Sequence, residues 1–193
     1  MSTSFDFSHF PILETERLRL RQITHDDAQA LVDMFTKPEM VRYVIEEANI
    51  TTLPAATGFI DWLNSDAEGP NGMCWWGITL KGGDDRLIGT CGFHLWEKDH
   101  RRVDIGYNMD VPYWGQGYTT EAAHAVVRWC FENLDLHRVQ ADCTEGNIGS
   151  ERVLEKVGFT LEGIWRENTF EHGRFVNIKQ YGLLRREYLG NAP

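Results

Sequence analysis

The chain has 193 residues, of which 42% are hydrophobic and 25% charged, enough to bury one sizeable core, and this balance excludes a disordered or fibrous protein. A formal net charge of -10 argues against a duplex nucleic-acid binder and is compatible with a cationic partner such as an amine or a basic peptide. Cys74, Cys91, Cys130 and Cys143 lie in apolar surroundings without a C-x-x-C pair, which disfavours structural zinc or a disulfide framework and fits buried thiols in a reducing cytoplasm.

Residues 1–14 read as an N-terminal arm whose Phe5, Phe7 and Phe10 can tuck against the body, and residues 15–190 as a single domain. The arm lacks the basic flank and apolar core of a signal peptide, and no run is long and apolar enough for a membrane span, so a cytoplasmic protein is expected. Thr15–Gln22 alternates leucine with arginine, the pattern of a half-buried strand. Thr24 or the Asp26-Asp27 pair caps a helix carrying Ala28, Leu31, Val32 and Phe35, which stops before Pro38. After an irregular Glu39–Thr52, a second helix starts near Pro54 and runs toward Gly69-Pro70. Met73–Leu80, Leu87–Leu95 and Arg102–Val111 then read as a three-stranded meander.

The alternation of Val103, Ile105, Tyr107, Met109 and Val111 ends at Pro112-Tyr113-Trp114-Gly115-Gln116-Gly117, and a helix follows over Tyr118–Asn133. A strand, a glycine-rich turn and a helix start together make a place to hold phosphate. Glycines let the backbone approach a ligand, and first-turn N–H groups carry outward partial positive charge. Arg138–Thr144 is a strand, Ile148–Val157 a helix, and Phe159–Glu167 and Phe175–Leu184 the last two strands, turned at Glu171-His172-Gly173. The class is mixed α/β, α+β-like, with antiparallel strands first and a strand-helix-strand crossover at the centre.

The run Trp114-Gly115-Gln116-Gly117-Tyr118 with Glu121-Ala122, then Asn147-Ile148-Gly149-Ser150 and Glu155-Lys156-Val157-Gly158-Phe159, resembles the GNAT superfamily of acyl-CoA-dependent N-acetyltransferases. Thr15–Arg21 and Gly158–Gly163 are similar to its RimJ/RimL-like branch, whose members acetylate ribosomal-protein N-termini. The resemblance covers Thr15 to Tyr188. Against the superfamily pattern Q/R-x-x-G-x-G/A, this chain has Trp114 first and Thr119 last. It implies a single GNAT-like domain, with a mostly antiparallel sheet of about seven strands splayed at the cofactor site and about four flanking helices.

The resemblance further implies acetyl-CoA as co-substrate and direct transfer to a primary amine in a ternary complex. The expected acceptor is a protein N-terminus, such as that of a ribosomal protein, or a small amine; neither nucleic acid nor membrane is expected as a partner, and the chain is expected to be a monomer or homodimer. N–H groups of Gly115, Gln116, Gly117, Tyr118, Thr119 and Thr120, with Trp114, are implied to cradle the pyrophosphate. A strand at Met109 to Val111 is implied to pair with the pantetheine arm. Asn147 caps its helix and touches that arm, while Ser150 is the catalytic donor to the CoA sulfur. Leu154 stands where many relatives carry a tyrosine acid, which keeps a non-catalytic acyl-CoA sensor as the alternative. Candidates for the base are Glu97, Asp104, His94, Glu46, Glu47, Glu167 and Glu171, whereas Glu121 reads as a first-turn structural carboxylate. No metal-ligand spacing occurs, and Trp62, Trp75, Trp76 and Trp96 belong to the core or line the acceptor pocket.

Overall fold

A computed structural model describes residues 9–43, 49–64 and 72–190. Its strands are β1 (Leu13–Glu14), β2 (Leu18–Gln22), β3 (Cys74–Leu80), β4 (Gly89–Glu97), β5 (Arg102–Met109), β6 (Arg138–Thr144), β7 (Thr160–Glu171) and β8 (Arg174–Leu184). The helices are α1 (Ala28–Phe35), α2 (Pro38–Val41), α3 (Leu53–Asn64), α4 (Tyr118–Asn133), α5 (Ile148–Val157) and α6 (Arg185–Gly190). One sheet holds all eight strands in the order β1-β2-β3-β4-β5-β6-β8-β7, antiparallel everywhere except between β5 and β6.

The expected class holds, with different counts. The eighth strand arises because Leu13 and Glu14, assigned to the arm, pair with Leu20 and Arg19. Phe10 meets Trp76 edge-on at 5.7 Å, and the Trp76 indole donates to the Pro11 carbonyl, so this part of the arm is stitched to the sheet; Phe5 and Phe7 lie outside the described residues. Two further helices are α2, a single turn opened by Pro38 inside the stretch read as irregular, and α6 after the last strand.

Both faces of the sheet are used. On one, α4 and α5 bury Trp129, Val126 and Leu154 against Trp76, Phe93, Val103 and Ile105. Trp129 meets Trp76 at 5.3 Å and stacks on Phe93 at 6.0 Å. Each such side chain contributes ~1.5–3 kcal/mol by leaving water, which fixes α4 against the strands. On the opposite face α1 and α3 pack Leu31, Phe35 and Ile60 around Ile23 and Leu87, with Trp75 at the border. Beyond Trp75 this second face turns polar.

The ladder between β5 and β6 is short. Arg102, Val103 and Asp104 pair with Arg138, Val139 and Gln140, and there it ends, while β6 continues against β8 as far as Thr144 opposite Ile178. The two strands therefore splay. The Asp110 N–H donates to the Ile88 carbonyl, so the even-numbered residues of β5 bond toward β4. By alternation, Ile105, Tyr107 and Met109 turn their N–H and C=O groups into the opening.

Candidate active site

At the head of α4, Gly115 and Gly117 have φ values of 72° and 81°, a conformation that glycine adopts without strain. The Glu121 N–H donates to the Gly117 carbonyl at 3.0 Å and closes the first turn, which leaves the N–H groups of Tyr118, Thr119 and Thr120 without intrahelical acceptors. Glu121 ties this turn to β2, accepting from the Thr15 hydroxyl at 2.6 Å and from the Arg17 N–H and Nε at 2.9 and 2.7 Å. Burial opposes its ionisation, yet these donors together hold its carboxyl below the usual range, as a structural carboxylate requires. Arg17 also lies over the Tyr118 ring at 4.4 Å and donates to the Gln116 carbonyl. It places an exposed cation beside the glycine turn, a position that the leucine-arginine alternation did not single out.

The strand expected to continue to Val111 stops at Met109. Asp110 caps a 3-10 turn over Val111–Tyr113, accepting from the Val111 N–H at 2.8 Å, and Pro112 suits that turn. Val111 therefore offers no strand-like edge, its N–H is engaged, and it packs with the second core. The unpaired edge lies instead at the Ile105 carbonyl, Tyr107 and the Met109 N–H. Trp114 folds back, its indole donating to the Met109 carbonyl at 2.5 Å, and the Gln116 amide donates to the Pro112 carbonyl. Both side chains brace the turn.

Across the opening, Asn147 caps α5 by accepting from the Ser150 N–H. The Ser150 hydroxyl lies 2.8 Å from the Tyr107 hydroxyl. Burial pushes the Tyr107 phenol well above its ordinary value, so it stays protonated across the physiological range. The Cys143 thiol stands on the other side of Ser150, and burial raises it to about 11. Leu154, one turn further along α5, is only 1% exposed in the core. Tyr107 thus brings a phenol to Ser150 from β5, which sequence reasoning had treated only as one of a strand's alternating residues.

A cavity of about 360 Å³ continues from this opening onto the polar half of the second face. His94 and Asp104 face each other across β4 and β5, Gln140 follows on β6, and Asp142 lies two residues further along it. Trp75 stacks on His94 with ring centres 6.1 Å apart. Gly92 and Gly106 make room for it, since a Cβ at Gly106 would meet its Cη2 at 2.8 Å. Burial raises Asp104, against which the Gln140 amide and His94 act, and the surrounding protein raises Asp142 as well, although that side chain remains open to solvent. The Trp75 Nε1, His94 Nδ1 and Asp104 Oδ1 atoms are buried without hydrogen-bond partners.

Of the base candidates, His94, Asp104 and Glu171 line this cavity, the last accepting from the Thr144 hydroxyl. Glu97 is paired with Arg102 outside it, Glu167 is exposed elsewhere on β7, and Glu46 and Glu47 lie outside the described residues. Asp142 was missed, because a lone aspartate on an alternating strand reads as a solvated surface group. Of the tryptophans considered, Trp75 lines the cavity; Trp76 is core, and Trp62 stacks on Phe59.

A family model of the acetyltransferase (GNAT) domain matches residues 17–160. The chain belongs to the GNAT acetyltransferases. It is 36% identical over 176 residues to the uncharacterized N-acetyltransferase YoaA of Bacillus subtilis, covering 91% of this chain and 98% of that protein. It is also 29% identical over 101 residues to the ribosomal-protein-serine acetyltransferase of Escherichia coli, 52% of this chain and 56% of that one. Among solved structures, RimL, a ribosomal L7/L12 alpha-N-protein acetyltransferase in complex with coenzyme A, superposes with a TM-score of 0.82 over 90% of this chain and 98% of that one, at 19% identity. This GNAT protein is accordingly an acetyl-CoA-dependent N-acetyltransferase with relatives in the RimJ/RimL-like branch. The non-catalytic sensor gains no support. Among the described residues, no group of three metal-ligating side chains gathers and no helix is long and apolar enough to cross a membrane.

Two features of the chain fit the co-substrate. A left-handed glycine turn with outward N–H groups and Arg17 suits a pyrophosphate, and the unpaired edge of β5 suits an extended amide-bearing arm.

Proposed function

We propose that the acetyl group passes directly to a primary amine held in the cavity between β5, β6 and Trp75, with Ser150 as the catalytic donor and His94 with Asp104 as the proton-accepting pair. The observation that carries this reading is that one cavity touches the unpaired edge of β5, the Ser150 hydroxyl and the His94–Asp104 pair.

Acetyl-CoA supplies an activated acetyl group as a thioester. The N–H groups of Gly115 to Thr120, helped by Arg17, hold the pyrophosphate, with Trp114 and Gln116 contributing through the main chain they brace. Tyr107 and Met109 replace Met109 and Val111 as the pairing edge, and Asn147 flanks the arm from the α5 side. A backbone N–H from this edge donates to the thioester oxygen as it gains charge. Ser150 gives its proton toward the departing sulfur, and Tyr107, a phenol kept neutral by burial, orients the serine and passes it a replacement proton as the phenol takes one from solvent in the open cavity, so that neither hydroxyl stays ionised.

On the acceptor side, His94 takes a proton from the incoming ammonium, and Asp104 across the strand pair stabilises the imidazolium that forms. Acceptors of the class include a protein N-terminus, as in the ribosomal-protein relatives, and small amines. The enzyme acts in the cytoplasm, where its four free cysteines, buried and with raised thiol values, stay reduced.

Thiol release from acetyl-CoA, measured against N-terminal peptides and small amines, tests this reading. Release with at least one amine, slowed about a hundredfold in Ser150→Ala with acetyl-CoA affinity retained, is expected. Full turnover in Ser150→Ala would remove the serine from the chemistry.

A further inference from the structure

The cavity that receives the amine has an unbalanced charge. Asp104, Asp142 and Glu171 line it, His94 is the cationisable group among them, and no lysine or arginine occurs among the described lining residues. Three basic side chains nearby are paired outside the cavity, Lys179 with Glu151, Arg102 with Glu97 and Arg138 with Glu162, and Arg174, opposite Glu171 in the β7–β8 register, is exposed and does not line the cavity. Carboxylates taken partly out of water without a cation are costly, and a ligand bearing positive charge relieves that cost. Two buried atoms without partners, Asp104 Oδ1 and His94 Nδ1, can accept hydrogens from an ammonium, the latter when that nitrogen carries no proton. One ammonium satisfies one end of this arrangement, beside His94 and Asp104. The other end remains.

That second end is set by strand register. Asp104 pairs with Gln140, and Asp142 lies two residues further along β6, about 7 Å beyond Gln140 and so about 8 Å diagonally from Asp104 at the rise and spacing of strands. Glu171 sits beyond it, held by Thr144, two residues further on the same face. A chain of about four carbons, with bonds of roughly 1.5 Å, spans the first interval.

Resting on the acetyltransferase reading above, we infer that the acceptor is a small dication, an aliphatic diamine or polyamine. One nitrogen reacts beside His94 and Asp104, and a second ammonium is held by Asp142 and Glu171. The α-amino group of a peptide carries one charge and leaves the distal carboxylates without a cation. Trp75 supplies the apolar wall along which the methylene chain lies. Asp142 and Glu171 are thus specificity residues that act on binding and leave the reacting nitrogen untouched.

The test compares 1,4-diaminobutane, spermidine, butylamine and an alanine-terminated peptide as acceptors in thiol release, alongside calorimetric binding of the two four-carbon amines to the CoA-saturated enzyme. The expected result is a kcat/KM for 1,4-diaminobutane or spermidine at least tenfold above that for butylamine, with the same order in affinity. The double variant Asp142→Asn, Glu171→Gln should reduce that ratio below about threefold, through KM and not kcat, with CoA affinity retained as a check on folding. Equal use of butylamine and the diamine, or a preference for the peptide, would overturn the dication while leaving the acetyltransferase intact. Absence of release with all four, together with no amine binding, would overturn both.

Discussion

Tyr107→Phe removes one oxygen from the middle of the site and leaves the ring in place. That oxygen lies 2.8 Å from the Ser150 hydroxyl, and the phenylalanine ring fills the same space against the core, so no cavity forms. The stability cost is that of one hydrogen bond and a serine with one partner fewer, about 1–2 kcal/mol. The expected catalytic cost is larger. If the pair delivers the proton to the departing thiolate, loss of general acid assistance lowers kcat by about a hundredfold, or ~2.7 kcal/mol of barrier. Acetyl-CoA affinity should change little, because the glycine turn and the edge of β5 bind through the main chain, which the substitution leaves intact. The assay is a double-mutant cycle on kcat with Ser150→Ala, Tyr107→Phe and both together. Two residues acting in series on one proton should give a double variant scarcely slower than the slower single. Independent, additive losses would refute the relay, and so would a Tyr107→Phe enzyme that loses thermal stability yet keeps its kcat.

Gly106→Ala sets a Cβ 2.8 Å from the Trp75 ring and should displace it, at an overpacking cost of about 1–3 kcal/mol. Acceptor KM should rise severalfold at constant CoA affinity; unchanged acceptor kinetics in a folded variant would take Trp75 out of the acceptor wall. Gly117→Asp places a carboxylate at the pyrophosphate turn, on a backbone with φ 81°, and should weaken CoA by a hundredfold or more in a titration; wild-type affinity in the folded variant would contradict the cradle. Asp104 has its carboxyl raised by burial, so the stability it contributes is present below the unfolded carboxylate pKa and is lost as pH rises through the higher folded value. Asp104→Asn should therefore raise the melting midpoint at neutral pH, lose that advantage in acid, and slow turnover about tenfold or more. A midpoint lower at neutral pH than that of the parent would show that the carboxylate is stabilised in the fold.

The elements bounded by strong local chemistry were legible from the sequence. Tyr118–Asn133, Arg138–Thr144 and Ile148–Val157 have the expected ends because Gly117, Asn147 and Gly158 mark the helix boundaries. Elements decided by tertiary contact were not. Leu13–Glu14 becomes a strand only because β2 offers its edge, and β7 runs to Glu171 because Phe170 and Glu171 pair with Phe175 and Arg174. Val111 was read into β5 since its apolar side chain continues the alternation. Asp110 ends the strand by capping the following turn, which periodicity does not weigh. The same limit applies to the site. The glycine turn and the Asn147–Ser150 segment are contiguous motifs, whereas Tyr107, Arg17 and Asp142 acquire roles only when other strands and helices bring partners to them.

The most direct test of the central claim is a crystal structure of the chain with coenzyme A. The pyrophosphate is expected on the N–H groups of Gly115 to Thr120 beside Arg17, with the arm paired to Tyr107 and Met109 and its sulfur within hydrogen-bond reach of the Ser150 hydroxyl. A coenzyme bound away from the opening between β5 and β6, or one whose sulfur lies beyond the reach of Ser150, would contradict the assignment.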